Sequence, residues 1–212
     1  DLNAQSNQVA GVELAGAGSG NQVRDNALPN NSTAVLITGS SGNTVSSNTA
    51  SGGGNMGIVL VAASGNTLLT NTISGTGDGG IELSQASHMN RVESNVVTST
   101  GDAGITVSDS DGNELLSNTS SGNSDAGISL SAANGGEVSG NDVRFNPTGI
   151  ELNGSSGVRV EANNASNASG GGIELLGGSL DNDVLSNIAN GNSGNGIYLA
   201  DEALGVPGNL ID

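Results

Sequence analysis

Asp78, Asp102 and Asp125 each stand two residues ahead of a Gly-Ile pair, at intervals of 24 and 23 residues. Carboxylates so spaced do chemistry only if the fold sets them side by side. At one strand spacing, about 4.8 Å, like charges raise one another's proton affinity unless a cation or a donor intervenes. Such a column is a candidate for Ca2+, which takes several oxygen ligands and accepts turn carbonyls and water beside carboxylates. It is also a candidate pair for glycoside hydrolysis, where one acid stays protonated. The plainer role is that of a turn: Thr-Gly-Asp-Gly and its relatives are sequences in which Asp caps backbone and is solvated. Asp109 and Asp111, in Ser-Asp-Ser-Asp-Gly, alternate as Ca2+ loop ligands do. The remainder of an EF-hand pattern is missing, and so is the Gly-Gly-x-Gly-x-Asp nonapeptide.

A second acidic feature combines Glu151 and Glu174 with Tyr198, all at equivalent places in successive units, with Glu82 and Glu13 farther along. A flat face bearing two carboxylates and a ring is the place where this chain would meet a polysaccharide; a wet outward column of polar residues is the simpler reading. A third column, Arg91, Glu114, Glu137, Arg159 and Asp183, reads as charges that neutralise one another along the surface.

Composition narrows the chemistry further. The 212 residues carry 21 acids against four basic residues, all of them arginine, for a formal charge of −17. Such a surface repels nucleic acid and anionic membranes. Cysteine is absent, which excludes disulfides and thiolate metal sites, and His88 is the only histidine. No apolar run approaches the roughly 18 residues of a membrane span, so no membrane insertion is expected.

The elements that position these residues are repeats. Gly80-Ile81-Glu82-Leu83 has counterparts beginning at Gly11, Ala34, Gly57, Gly104, Gly127, Gly149, Gly172 and Gly196, at steps of 22 to 24 residues. Within each, the two aliphatic residues are two apart and share one face of a strand. A second phrase, Asn-x-Val/Leu-x-x-Asn, adds an inward column from Val23 through Val184 to Ile211. A third column follows the closing Asn: Leu28, Ala50, Ile73, Val97, Ser120, Val143, Ala165 and Ala189. One such unit cannot bury its aliphatic side chains, whereas a stack of them can. The closing asparagines, Asn26, Asn48, Asn71, Asn95, Asn118, Asn141, Asn163 and Asn187, form a structural ladder, since an amide both donates and accepts at strand spacing. A partial second ladder runs Asn21, Asn43, Asn66, Asn90, Asn113, lapses at Gly136 and Val158, and resumes at Asn182 and Asn209. Gly and Asn are expected to supply the left-handed turn residues.

These features predict an all-β, right-handed, single-stranded parallel β-helix of about nine coils at ~23 residues per coil, a rod roughly 40 Å long. Residues 1–212 form one domain, expected to be a segment of a longer protein because the chain starts and stops in mid-repeat. The segment Leu199 to Leu210, with Pro207, is expected to fold across the C-terminal coil. An uncovered coil end favours end-to-end self-association.

The Gly-Ile-x-Leu and Gly-Asn-x-Val-x-x-Asn phrases resemble right-handed β-helix repeats of the NosD type, within the wider pectin-lyase-like group of carbohydrate-binding proteins and sugar hydrolases. The resemblance implies the fold across the chain. It carries over no catalytic residue: lyases of the group need a basic residue and this chain has no lysine, hydrolases set a His beside Asp clusters, and epimerases carry an Asp-Pro-His-Asp-like stretch that is missing here. Three functions follow as expectations. The first is a non-catalytic structural or interaction rod of an extracellular, surface or periplasmic protein, presenting a glycan-binding face to polysaccharide or meeting another protein, with no cofactor. The second is a polysaccharide-active enzyme (hydrolase, lyase or epimerase-like) using an acidic column. The third is a Ca2+-stabilised repeat.

Overall fold

The computed structural model describes residues 3–16, 18–200 and 208–212. Each coil contributes parallel strands to three walls. The first wall is a nine-stranded sheet of the Gly-Ile-x-Leu segments, from Ala10–Ala15 to Ile197–Leu199. The second is a nine-stranded sheet of the Asn-x-Val segments, from Gln22–Arg24 to Leu210–Ile211. The third has four strands, Thr49–Ser51, Thr72–Ser74, Val96–Thr98 and Thr119–Ser121, continued by isolated bridges through Asp142, Asn164 and Ile188. Register follows the repeat: Ile81 pairs with Ile105, and Ile105 with Ile128.

The core is the thin column inside these walls. Ile37, Leu60, Leu68, Ile73, Ile81, Leu83, Ile105, Ile128 and Ile150 are fully buried, each worth about 1.5–3 kcal/mol relative to exposure. Ser120 is the polar exception in its column. Its hydroxyl donates to the Gly127 carbonyl at 2.7 Å and accepts from the Asn123 amide at 3.0 Å, so its burial leaves nothing unpaired. The glycine that opens all these units but the one at Ala34 is a packing requirement. A Cβ on Gly80 would collide with the Val97 side chain and the Gly104 carbonyl.

Each ladder asparagine is bonded in both axial directions. Asn118 Nδ2 donates to the Val92 carbonyl below (2.9 Å) and to Asn141 Oδ1 above (3.0 Å). Its own Oδ1 accepts the Asn95 backbone N–H (2.9 Å) and the Asn95 amide (3.1 Å). The same pattern runs from Asn26 to Asn187. The second ladder also forms from Asn21 to Asn113 and from Asn182 to Asn209. Two further ladders complete the corners. Serine hydroxyls at Ser87, Ser110, Ser155 and Ser179 accept the N–H one coil before, and Asn123 and Asn146 do the same at another turn.

The left-handed residues are only partly the glycines and asparagines expected. Gly supplies some, but the residue just before each ladder Asn is left-handed in every coil, and it is Asp25, Ser47, Thr70, Ser94, Ser117, Ala162 or Ser186 as well as Gly140. A non-glycine residue there costs roughly 1–2 kcal/mol, and the amide ladder beside it offsets that cost. Ile211 sits in register with Val184 yet is exposed, as is Leu199 opposite Leu175, because no described coil lies above them, while Leu210 faces outward in register with Asp183. Residues 201–207 of the segment expected to cross this coil lie outside the described residues.

Replacing Asn118 by Ala removes one acceptor and one donor from two neighbouring coils. Denaturant unfolding is expected to show a loss of roughly 3 kcal/mol, from buried groups left unpaired at about 1–3 kcal/mol each. Ser117→Gly, one residue away, relieves the left-handed cost and is expected to be neutral or stabilising by up to about 1 kcal/mol.

Candidate functional site

The outward residues of the first wall change character along the rod. Leu36 and Val59 near one end give way to Glu82, Thr106 and Ser129, then Glu151, Glu174 and Tyr198. The last three are direct register partners: Glu151 opposite Glu174, and Glu174 opposite Tyr198. Parallel pairing therefore sets the two carboxyl-bearing strands about 4.8 Å apart, with an exposed ring as the next rung. Glu174 reaches back over the preceding turn, where a Cβ on Gly171 would overlap its Oε1. Burial pushes the Glu151 carboxyl above the ordinary glutamate value, and the charges of Asp125 and Glu174 push it the same way. Asp125 thus belongs electrostatically to this face rather than to a column of its own.

The other predicted carboxylates are placed differently. Asp78 and Asp102 are exposed, and they enter the turn through their backbone carbonyls: Asp78 accepts from Gly101 N–H at 2.9 Å and Asp102 from the Thr100 hydroxyl at 2.7 Å. Asp109 is a left-handed turn residue (φ 49°), at the position held by Gly39, Ala62, Ala132 and Gly154 in other coils. Asp111 is a rung of a further corner ladder. Its N–H donates to His88 Nδ1 (2.8 Å), and its Oδ1 accepts the Asn134 N–H (2.8 Å). Among the described residues no three Asp, Glu or His side chains converge as a metal site requires. Asp78, Asp102 and Asp109 thus serve the turns through their backbone, and Asp111 through its carboxylate.

The charged column of the second wall pairs along strands as much as across them. Arg91 bonds Glu114 in the next coil (2.6 Å) and Glu93 two residues on (2.8 Å). Arg159 bonds Glu161 (2.6 Å), because residues two apart project from the same face, while the charges of Glu137 and Asp183 act on it from the neighbouring coils. Arg144 holds Asp142 at 2.7 Å and lies 5.5 Å from the Phe145 ring centroid. The Arg144 hydrogen bond keeps the Asp142 carboxyl below its usual range.

Stacked parallel coils with three walls and polar corner ladders define a right-handed parallel β-helix. Residues 1–124 match the family described as periplasmic copper-binding protein (NosD), residues 100–212 match the right handed beta helix region, and the chain belongs to these β-helix families. No curated relative matches the sequence. Among solved structures, the A-module of mannuronan C-5 epimerase AlgE4 from Azotobacter vinelandii is 13% identical, with 98% of this chain covering 79% of that one at a TM-score of 0.69. The periplasmic alginate epimerase AlgG is 17% identical, with 91% of this chain covering 48% of that one at a TM-score of 0.66. Tailspike protein 2 of bacteriophage CBA120 is 10% identical, with 94% of this chain covering 42% of that one at a TM-score of 0.62. The chain therefore spans about half the length of two of these proteins, and identities this low speak for the fold alone.

The donors of this chain do not fit a copper centre. Copper sites draw on imidazole, thiolate and thioether ligands, and the chain has one histidine, no cysteine and two methionines. His88 already accepts a backbone N–H on Nδ1, and Met56 Sδ accepts the Gly79 N–H at 3.1 Å.

A carboxyl raised by folding favours the folded state below the ordinary glutamate value and loses that advantage as pH climbs through the folded value. Glu151→Gln is therefore expected to raise the melting temperature at neutral pH, with the gain shrinking to nothing in acid. Melting curves from pH 3 to 8 measure it; a gain independent of pH would contradict the assignment.

Proposed function

We propose that the chain is a non-catalytic rod of an exported protein whose first wall binds a neutral glycan across Glu151, Glu174 and Tyr198. The observation that carries this reading is the in-register run of two carboxylates and an exposed ring on a flat parallel sheet. Carboxylates accept hydrogen bonds from sugar hydroxyls, and an aromatic ring covers the apolar face of a pyranose. The exported location agrees with the periplasmic description of the NosD family and of AlgG.

Two of the similar structures act on alginate or mannuronan by name. A polyanion suits this chain poorly. Its net charge is −17, and three of its four arginines are held in ion pairs. A neutral polymer avoids that repulsion. The enzymatic alternative has one observation in its favour: Glu151, with its raised proton affinity, is the register partner of Glu174, and paired-carboxylate mechanisms use one protonated and one ionised acid.

Binding and reducing-end release measured together on neutral glucans, mannans, xylans and galactans, and on alginate, separate the two. Binding to at least one neutral polymer without new reducing ends is expected, weakened about tenfold by Tyr198→Ala through the lost ring contact. Turnover abolished by Glu151→Gln would establish the enzyme instead, and no binding to any neutral polymer would end the proposal.

A further inference from the structure

The second wall carries a groove of about 530 Å³ at its corner with the first, built where the second asparagine ladder lapses. Its floor is glycine: Gly112, Gly135 and Gly136 line it. Gly135 and Gly136 are both left-handed, at φ 64° and 84°, and a Cβ on Gly136 would overlap the Asn113 backbone. A side chain of the usual ladder type therefore cannot occupy this rung, and the groove lies against its bare backbone.

The lapse also strands hydrogen-bonding groups. At intact rungs the backbone N–H donates to the asparagine Oδ1 of the next coil, as Asn90 N–H does to Asn113 at 2.8 Å. Asn113 is followed by Gly136, and Gly136 by Val158, neither of which offers a side-chain oxygen. Among the described residues, the N–H groups of Asn113 and Gly136 find no acceptor, although Asn113 is buried. Unpaired buried amides are uncommon and costly. Around them stand acceptors and an apolar surface. Glu137 makes no ion pair among the described residues, and Asp111 spends only Oδ1, on Asn134. Met89, 71% exposed, lies over Gly112 as one bank of the groove.

We propose that this groove binds one pyranose unit of a neutral oligosaccharide, at a site separate from the Glu151 and Glu174 face. A cation would satisfy Glu137 and Asp111 and leave the Gly136 N–H without an acceptor. An anion would do the reverse and meet the repulsion of Asp111, Glu114 and Glu137, against a single lining cation, Arg159, which Glu161 already holds. A sugar hydroxyl donates and accepts at once, so neighbouring hydroxyls can serve a carboxylate and an amide together. The thioether and methylenes of Met89 cover the C–H face of the ring.

Titration of 15N-labelled protein with cellotetraose, maltotetraose, mannotetraose and xylotetraose tests this, with tetramannuronate as the charged control. At least one neutral tetrasaccharide is expected to move the Asn113, Gly135 and Gly136 amide signals. Its affinity should fall about tenfold in Glu137→Gln and in Met89→Ala, as the loss of one or two contacts implies. Val158→Asn, which restores the acceptor that Asn182 and Asn209 provide elsewhere, should weaken binding by a similar factor. The proposal is overturned if none of the four neutral sugars moves these signals, or if Glu137→Gln and Met89→Ala both leave affinity unchanged. Shifts confined to the strands of Glu174 and Tyr198 would overturn it while leaving the first-wall face standing.

Discussion

The asparagine amide is the contact on which the spacing of every coil depends. It offers two donors and an acceptor on a short, planar arm, and a turn stacked on an identical turn presents it with matching partners above and below. Because Asn118 is tied to Val92, Asn95 and Asn141 at once, three coils share one side chain's geometry. A slip of one coil against the next would break several such bonds together. The ladder also explains why the chain tolerates left-handed Ser, Thr and Ala beside it: the corner needs that backbone shape to aim the amide along the axis, and the amide's bonds offset the strain.

The apolar column supplies the driving force, and the corner ladders supply the uniqueness. Isoleucine, leucine and valine stacks would accept many small rotations of one coil on another, since burial is non-directional. The polar corner ladders remove that freedom. The two asparagine ladders, the serine hydroxyls of Ser87, Ser110, Ser155 and Ser179, and the run through His88, Asp111 and Asn134 all bond coil to coil. The single histidine is thereby a structural rung, with Nδ1 held as an acceptor.

A scaffold so regular makes its irregularities informative. The outward residues of the first wall lie outside the core cluster, and there Glu151, Glu174 and Tyr198 gather with Asp125 close enough to shift a proton affinity. On the second wall a groove lies where the rungs at Gly136 and Val158 are missing. Both features lie on coils whose cores are otherwise unremarked, which is how a repeat architecture separates binding surface from fold.

Sequence alone determined the walls, the inward columns and both asparagine ladders, because each is a repeat of one residue type at one period and stacking is the only arrangement that buries or pairs all its members. It also placed Glu151, Glu174 and Tyr198 in one column, since register follows directly from the Gly-Ile-x-Leu phrase. Only the tertiary structure decided what the aspartates do. Asp109 and Asp111 alternate in sequence like cation ligands, but backbone angle makes one a turn residue and a cross-coil bond makes the other a cap. Likewise Arg159 bonds Glu161 on its own strand, and a groove lies at the lapse of Gly136. Such outcomes turn on side-chain reach and on φ at single residues, and a period of twenty-three carries no record of either.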